Sequence, residues 1–389
     1  MRILVVHTYY KLKGGEDSVV ANEIELLRAA GTEVEQLSFS NSGSTLLKLL
    51  QVPFNYSSYR KTLQKLREFK PDVVHIHNLH FSGSASVVYA VNKLHIPMVM
   101  TLHNYRLLCP SGSLYHNNDF FLDSLQPGFA WQAVKQGVYQ NSKAITFWIA
   151  ASMYLHERLG TWGKINQFLV LGEHSRQLFS HSKFGQFADR IVVKPNFCFA
   201  PSNDLETVTP CLGSSYLYVG RLTEEKGLPV LLKAFASSGY QLDIVGTGPL
   251  EEMVKEYSRN HANIHFHGAQ PQEKVYEMLE AAAALIFPSV WYETFGMVVI
   301  EAFSRGVPEI ASDLGNIRNL VVDGVNGLRF KSGDPEDLSS KVQYFDRLPA
   351  ALREEFCENA RQSYLRQYSP EANAVQLMKL YRNIAPGAD

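Results

Sequence analysis

The beginning of the chain alternates short apolar runs with an amphipathic one: RILVVH (2–7), then EDSVVANEIELLRAAG (16–31), then EVEQLS (33–38). Val20, Ile24 and Leu27 recur at the spacing of one helix face, and Gly31 stands where a helix would stop. The short runs on either side are predicted to be strands. Strand, helix and strand in this order indicate a right-handed β-α-β unit and a parallel sheet.

The same alternation continues along the chain and restarts after a break near residue 200. Further strands are predicted at 72–77, 97–102, 167–171 and 191–194, with a helix at 59–69, and then at 215–220, 241–246, 263–268, 284–289 and 308–312. The region 335–384 is predicted to be helical, with breaks at Pro349 and Pro370. The sequence therefore predicts an α/β protein with two doubly wound domains, whose strand carboxyl ends would meet at a shared cleft.

Four segments follow from this pattern. We predict an N-terminal domain at 1–199, a polar, proline-containing linker at 200–213 and a C-terminal domain at 214–369. Residues 370–389 are expected to form a C-terminal helix that crosses back to the first domain.

Composition excludes several classes of protein. The 389 residues are 46% hydrophobic and 19% charged, values typical of a soluble globular protein with two cores. The net charge of -1 argues against a dedicated nucleic-acid binder. The four cysteines form no C-x-x-C pair, so neither a disulfide framework nor a zinc knuckle is predicted.

The distribution of charged and apolar residues indicates where in the cell the protein is expected to lie. Residues 1–200 carry 20 Lys+Arg against 13 Asp+Glu, a net of +7, and the remainder carries 17 against 25, a net of -8. A basic first half either keeps the domain soluble or attracts an anionic membrane surface. The apolar run AITFWIAASMYL (144–155) is shorter than the roughly 20 residues that cross a bilayer. The N-terminal run is interpreted as a strand, not a signal peptide, and a cytoplasmic protein is expected.

The most informative motif is YETFGMVVIEAFSRGVP (292–308). Gly296 permits a tight turn before a helix, whose free N–H groups and dipole form an anion site. Glu293 before the helix and Glu301 within it could hold two hydroxyl-bearing parts of one ligand while its phosphates meet the helix start. The alternative is two ordinary surface glutamates.

Two motifs of the second half suggest a nucleotide. In YVGRLTEEKGL (218–228), Arg221 and Lys226 follow a strand end and suit a pyrophosphate, or are simply solvated loop residues. GTGPLEE (246–252) lacks the third glycine of a dinucleotide fingerprint, which argues against a nicotinamide site. Gly246 is instead expected in a tight turn whose backbone lies against a nucleotide.

The first half offers weaker signals. Gly14 and Gly15, between the first strand and helix, allow close approach of a phosphate or sugar, or form a flexible turn. His103 ends a predicted strand and could bind a sugar hydroxyl or handle a proton, although a buried structural histidine is the alternative. HIHNLH (75–80) has no nearby carboxylate or cysteine in the sequence, so a metal site there is a minor alternative.

No D-x-D motif occurs in the chain. We therefore expect protein groups alone to neutralise the charge of a bound diphosphate. That motif holds a divalent metal on the diphosphate in metal-dependent sugar transferases. Arg, Lys and a helix start can supply the positive charge instead. We therefore predict no metal and no cofactor.

Taken together, the ordered motifs resemble retaining glycosyltransferase family 4, the large family with the two-domain GT-B fold. The resemblance covers nearly the whole chain and is densest over 215–330; it rests on GG at 14–15, His103, GRLTEEKG, GTGP, YETFG…E and SDLG…DGVNGL. Glu293 and Glu301, with seven residues between them, match the family's glutamate pair. The implied fold is two Rossmann-like domains facing a central cleft.

The resemblance also implies roles for individual residues. Catalytic roles fall to His103, at the reacting sugar, and Glu293, in contact with the transferred sugar. Donor diphosphate binding is assigned to Gly15, Arg221, Lys226, Phe295, Gly296 and Met297. Glu301 would hold the ribose, with the nucleoside also meeting Gly246, Ala269 and Gln270. The acceptor would meet Gly14, Glu16 and Asn104.

The implied reaction is retaining transfer of a hexose-type sugar from a UDP- or GDP-linked donor to a saccharide or lipid-linked saccharide acceptor in glycan biosynthesis. A same-face displacement, in which the departing phosphate accepts the acceptor's proton, is preferred to a covalent intermediate on Glu293. A nucleotide-sugar 2-epimerase-like enzyme and a non-catalytic nucleotide-sugar binding protein are the alternatives. The sequence does not select the base, the sugar, the acceptor or the oligomeric state.

The chain departs from the family pattern in a few positions. PNF (195–197) replaces P-N-G, Asn316 and Asn319 replace a glycine and a glutamate, Arg305 replaces a cysteine, and Glu309 replaces an apolar strand residue. We expect these departures to affect which sugar is transferred more than the type of reaction.

Aromatic residues in 129–164 are interspersed with cations, which is typical of a membrane-interface segment or of core helices. The first interpretation is a hypothesis of docking to a lipid-linked acceptor at the cytoplasmic membrane.

Overall fold

The computed structural model describes residues 1–10, 14–41, 45–200, 213–385 and 387. It divides into two compact units, the first formed by 1–116, 120–196 and 373–389 and the second by 117–119 and 197–372. Most of the predicted linker, residues 201–212, lies outside the described residues, so the predicted boundaries stay a prediction.

The first unit contains a six-stranded parallel sheet with strand order β2-β1-β3-β4-β7-β8. The strands in the first part of the chain are β1 (Arg2–Tyr9), β2 (Glu33–Ser40), β3 (Val73–Ile76), β4 (Met98–Leu102), the separate hairpin β5 (Tyr115–His116) and β6 (Asp119–Phe120), β7 (Gln167–Val170) and β8 (Ile191–Val193). The helices there are α1 (Gly15–Ala29), α2 (Thr45–Gln51), α3 (Tyr56–Phe69), α4 (Ser86–Lys93), α5 (Trp131–Gln136), α6 (Lys143–Arg158) and α7 (Glu173–Ser180).

The second unit contains another six-stranded parallel sheet, with strand order β11-β10-β9-β12-β13-β14. Its strands are β9 (Ser215–Val219), β10 (Gln241–Val245), β11 (Ile264–Gly268), β12 (Ala282–Phe287), β13 (Glu309–Ser312) and β14 (Gly327–Phe330). The later helices are α8 (Leu228–Ala236), α9 (Glu251–Asn260), α10 (Gln272–Ala281), α11 (Met297–Phe303), α12 (Ile317–Leu320), α13 (Pro335–Asp346), α14 (Ala350–Ser363) and α15 (Pro370–Ile384). The predicted α/β class with two parallel-sheet domains is confirmed.

The core of the first unit follows the predicted periodicity. Val20, Ile24 and Leu27 of α1 are buried against strand residues of the sheet, and Gly31 takes a left-handed φ of 80° just after the helix. The same core includes Leu377 of α15, so the last helix packs on the sheet that the first strand begins. None of the described helices combines the length and apolar content that a bilayer crossing requires.

One buried position in the second unit breaks the apolar pattern of the sheet. Glu309 on β13 is only 1% exposed, and in the described part of the chain neither carboxyl oxygen has a hydrogen-bond partner. Burial raises the pKa of Glu309 well above its usual value. Burial therefore favours the uncharged, protonated form of this carboxyl group.

Candidate active site

Lys226 and Glu293 form an ion pair at the carboxyl edge of the second sheet. Lys226 Nζ donates to Glu293 Oε1 at 2.6 Å, and the glutamate is almost fully buried. The pair joins the turn after β9 to the loop after β12, two neighbouring strands of the sheet. The sequence predicted both residues as ligand groups, and the fold places them in contact across 67 residues of chain.

Backbone geometry explains why these two loops approach so closely. The Val290 N–H donates to the Glu225 carbonyl at 3.0 Å, which ties the two loops together. Gly227 has a left-handed φ of 72°, and a Cβ there would lie 1.8 Å from the Pro288 carbonyl oxygen. Glycine is therefore required beside Lys226 for the cation to reach Glu293.

Two polar side chains that the prediction omitted hold Glu293 and its loop. Ser289 Oγ donates to Glu293 Oε1 at 2.7 Å. Asn316 Nδ2 donates to the backbone carbonyls of Glu293 (3.1 Å) and Thr294 (2.8 Å). Asn316 stands where the family pattern has a glycine, and its amide fixes the loop that carries the glutamate. In the sequence, only the replacement of the family's glycine by Asn316 could have drawn attention to this residue.

The segment that follows Glu293 is tightly packed. A Cβ on Gly296 would lie 2.9 Å from Val299 Cγ2 and 3.0 Å from Ile317 Cδ1. Phe295 is buried, so its backbone is the part that could meet a ligand, while Met297 is partly exposed at the start of α11. These positions suit backbone contacts with phosphate better than side-chain contacts.

Glu301 lies one turn into α11 and is partly buried. Burial raises the pKa of Glu301, and the nearby Arg305 guanidinium opposes that increase. Arg305 itself lies with Cζ 3.5 Å from the centroid of the Tyr276 ring, a cation–π contact. The arginine that replaces the family's cysteine thus contributes charge next to the predicted ribose-binding carboxylate.

The remaining donor-side residues lie on loops at the same sheet edge. Arg221 is exposed directly after β9, and Tyr218 Oη donates to the Arg221 carbonyl at 2.9 Å. Gly246 follows β10 with φ 144°, and a Cβ there would lie 1.8 Å from the Gly220 carbonyl oxygen, so packing alone explains this glycine. After β11, Ala269 is exposed and Gln270 Nε2 donates to the His267 carbonyl at 2.7 Å.

The start of α1 carries the predicted glycines of the first unit. Gly14 and Gly15 are exposed with extended or helical backbone, and a Cβ on either would meet no atom of the described residues within 4 Å. Among the described residues, neither packing nor φ explains why these two positions are glycine. Burial, reinforced by the Asp17 carboxylate, raises the pKa of the adjacent Glu16 to about 8, so this carboxyl is mainly protonated at neutral pH.

His103 follows β4 and lies at the carboxyl edge of the first sheet. Its Nε2 is 2.9 Å from His77 Nδ1, on the loop after β3. Asn104 Oδ1 accepts from the Arg106 N–H at 3.0 Å, so it shapes the turn beside His103. His77, His103 and Asn104 line a largely apolar cavity of about 110 Å³ in this unit.

A buried charged cluster lies behind His103, and sequence reasoning missed it. Glu23 of α1 has Oε1 2.9 Å from His75 Nδ1 and 3.0 Å from His77 Nε2, and Lys194 Nζ donates to its Oε2 at 2.7 Å. The carboxylate that HIHNLH lacks locally in sequence is supplied by a helix 50 residues earlier. Glu23, His75 and His77 could converge on a metal ion. The Lys194 ammonium on the same carboxylate opposes a second cation there.

Both halves of the chain match known families of sugar-transferring proteins. Residues 13–165 match the model described as Glycosyltransferase Family 4, and residues 214–363 match Glycosyl transferases group 1. These sequence matches and the two parallel-sheet units define a protein with the GT-B fold. The chain belongs to glycosyltransferase family 4.

Among similar sequences is a phosphatidyl-myo-inositol mannosyltransferase of Mycobacterium leprae, 31% identical over 186 residues, which cover 45% of this chain and 48% of that protein. Another is an uncharacterized glycosyltransferase of Methanocaldococcus jannaschii, which is 26% identical over 171 residues. The match covers 43% of this chain and 48% of that protein. The chain thus spans about half the length of these curated relatives.

Solved structures resemble the whole fold. A glycosyltransferase from Rickettsia africae superposes with a TM-score of 0.71 at 16% identity, covering 100% of this chain and 99% of that one. HepE from Anabaena, crystallised with UDP, has a TM-score of 0.67 at 16% identity. The superposition covers 98% of this chain and 100% of HepE. At these identities the similarity defines the fold.

Proposed function

We propose that this protein is a retaining glycosyltransferase that moves a hexose-type sugar from a nucleoside-diphosphate donor to a saccharide or lipid-linked saccharide acceptor in glycan biosynthesis. The observation that carries the proposal is the Lys226–Glu293 pair at the carboxyl edge of the second sheet. Both residues lie in the stretch that matches Glycosyl transferases group 1. HepE, a structural neighbour, was crystallised with UDP, which supports a nucleoside-diphosphate ligand for this chain.

The chemical argument concerns the leaving group. Breaking the anomeric C–O bond leaves growing negative charge on the diphosphate and oxocarbenium character on the sugar. Lys226, Arg221 and the backbone near Gly296 stabilise that negative charge without a metal, together with the backbone of Gly15 and Met297. Glu293 orients the sugar, with its own position fixed by Ser289 and Asn316. The departing phosphate accepts the acceptor's proton in a same-face displacement.

Other residues would select the two substrates. Glu301 binds the ribose hydroxyls, and the backbone at Gly246, Ala269 and Gln270 meets the base. In the first unit, His103 contacts the reacting sugar, while Gly14, Glu16 and Asn104 contact the acceptor. The open space at Gly14 and Gly15 supports this part of the proposal, since no described residue comes close enough to require glycine there.

A thermal-shift panel of UDP- and GDP-linked sugars tests donor binding. At about 100 times its Kd, a ligand of the folded protein adds about 2.7 kcal/mol to the free energy of unfolding and raises the melting temperature. We expect one nucleotide series to raise it, with or without EDTA. Product analysis then separates the alternatives: an epimerase releases an isomerised sugar without acceptor, and transfer requires one. A panel in which no nucleotide sugar shifts the transition contradicts the proposal.

We also propose that the α5–α6 region docks on an anionic membrane that carries the acceptor. Trp131 is 57% exposed and Phe147 43% exposed, and both rings contact Phe129. Lys135 and Lys143 lie on the same two helices. Exposed aromatic rings with flanking cations suit the interface of an anionic bilayer.

Flotation with liposomes of anionic phospholipid tests the membrane proposal. We expect binding at low salt that the double variant Trp131→Ser/Phe147→Ser reduces at least about tenfold, because both apolar burial and orientation are lost. The matched control is Tyr344→Ser in the second unit, where an aromatic ring is similarly 56% exposed. Equal flotation of the wild type, the double variant and the control would exclude this surface.

A further inference from the structure

A largely apolar cavity of about 110 Å³ lies beside His103 in the first unit. Strand β4, helix α6 and the segment that follows α6 contribute apolar side chains to its wall: Leu102, Ile149, Met153 and Trp162. An apolar cavity of this size takes up hydrocarbon in preference to water and has room for about one isoprene unit. Sugar hydroxyl groups would lose their water against such a wall. The cavity therefore suits a hydrocarbon group that is attached to a sugar.

Two of the segments that form the cavity also present apolar side chains to solvent. On α6, Trp148 is exposed and the next residue, Ile149, lines the cavity. Between α2 and α3, Val52 lines the cavity and Phe54 is exposed. Trp148 Nε1 donates to the Leu49 carbonyl at 2.6 Å, so the two segments lie side by side. A hydrocarbon chain longer than the cavity can therefore continue onto apolar surface.

Arg106 places a positive charge at the same cavity. It lines the cavity from the loop that carries His103, and among the described residues it forms no ion pair with a carboxylate. Its Nη1 donates to the Pro110 carbonyl at 3.1 Å, and its Cζ lies 5.8 Å from the centroid of the Tyr139 ring. Burial raises the pKa of Glu16 to about 8 although the Arg106 charge opposes this increase, so the Glu16 carboxyl is mainly protonated at neutral pH. A carbonyl, an aromatic ring and a protonated carboxyl group do not neutralise the guanidinium, so its charge is available to an anionic ligand.

We propose that the cavity and Arg106 together bind the lipid phosphate of the acceptor: hydrocarbon next to the phosphate fills the cavity, and the Arg106 guanidinium pairs with the phosphate oxygens. Arginine binds phosphate through charge-assisted hydrogen bonds. Each methylene group buried in the cavity adds about fourfold to the affinity. This lipid-phosphate site rests on the proposed function for the transferred sugar, and it narrows the acceptor to a saccharide that phosphate links to a lipid.

Simpler acceptors would use only one half of this site. An acidic sugar would pair with Arg106 but would leave the cavity without hydrocarbon. An uncharged glycolipid would fill the cavity but would leave the guanidinium without an anion. A lipid phosphate uses the cavity and the charge together.

Isothermal titration calorimetry on the full-length protein, without a sugar donor, tests the lipid-phosphate site. The probes are citronellyl phosphate, citronellol, inorganic phosphate and glucuronate, each below any micelle-forming concentration. We expect citronellyl phosphate to bind at a single site and at least about tenfold more tightly than each other probe, because it alone offers both hydrocarbon and phosphate. Comparable binding of citronellol would remove Arg106 from the site, and comparable binding of inorganic phosphate or glucuronate would remove the cavity. Either result overturns the proposal, as does the absence of binding.

Variants then test each half of the site, with the melting temperature of each protein as the check on folding. Ser152 is a buried residue of α6 that lines the cavity, so Ser152→Leu should fill part of the cavity and weaken the binding of citronellyl phosphate at least about tenfold. Arg106→Gln should weaken it by a similar factor and leave the binding of citronellol unchanged. Ala144→Leu is the matched control, because Ala144 is an exposed residue of the same helix and does not line the cavity. Undiminished binding of citronellyl phosphate in either Ser152→Leu or Arg106→Gln would refute the site.

The sugar donor distinguishes failure of this site from failure of the proposed function. If a nucleotide sugar raises the melting temperature but citronellyl phosphate does not bind, only the lipid-phosphate site is wrong. If citronellyl phosphate binds but no nucleotide sugar shifts the transition, the proposed sugar transfer is wrong and the lipid-phosphate site stands.

Discussion

Lys226→Met is expected to lower kcat for sugar transfer by about two to three orders of magnitude while the protein stays folded. Methionine preserves most of the side-chain volume and removes only the charge that we propose faces the leaving diphosphate. Glu293 would lose its 2.6 Å partner as well, so the carboxylate that we propose orients the sugar becomes less well fixed. Both effects act on the transition state, because its diphosphate carries more negative charge than that of the bound donor.

The measurement is steady-state turnover with the donor found in the thermal-shift panel, alongside the melting temperature of each variant. Lys255→Met is the matched control, since Lys255 also pairs with glutamates of the second unit but does so on an exposed helix surface. The control should retain wild-type turnover. Turnover of Lys226→Met within about threefold of the wild type would remove Lys226 from the mechanism.

Lys194→Met is expected to destabilise the first unit by about 3–5 kcal/mol, because Glu23 would remain buried without its cation. Lys194 and Glu23 are each only 1% exposed, so water cannot replace the lost partner. The double variant Lys194→Met/Glu23→Gln removes both charges and should recover much of the lost stability. Urea unfolding at neutral pH measures all three proteins.

The same pair predicts how stability depends on pH. Since the folded pKa of Glu23 lies below its ordinary value of 4.5, the pair stabilises the fold above that value. The stabilisation is lost as pH falls from 4.5 through the lowered folded pKa. Lys194→Met should therefore flatten the acid side of the stability profile. Lys65→Met, which breaks a partly exposed ion pair with Glu35, should cost less than about 1 kcal/mol. Unchanged stability in Lys194→Met would contradict this account.

Local patterns in the sequence were sufficient to predict most of the fold. Strands such as β1 and helices such as α1 are determined by apolar periodicity within about ten residues, and the sequence contains that information directly. Strand β14 (Gly327–Phe330) was not predicted, because four residues that begin with glycine carry too little periodicity. The buried Glu309 on β13 also departs from the rule that central strands are apolar.

The candidate site was predictable only where a family pattern linked distant residues. Lys226 and Glu293 were predicted together because both belong to motifs, whereas no local signal joins Glu23 to His77 or Lys194. Their contacts depend on which strand lies beside which, and that is a property of the sheet order β2-β1-β3-β4-β7-β8. Ser289 and Asn316 act through one loop's conformation, which periodicity does not encode.

The placement of α15 has a consequence for how the protein forms during translation. Leu377, Leu380 and Tyr381 complete the core that contains Ile3 and Val5. A nascent chain that has emerged from the ribosome only as far as residue 200 therefore exposes an apolar patch on its first sheet, which stays uncovered while the whole second unit is synthesised. The N-terminal half depends on residues that are made after the second unit, so chaperones that shield hydrophobic surface have a long opportunity to act there.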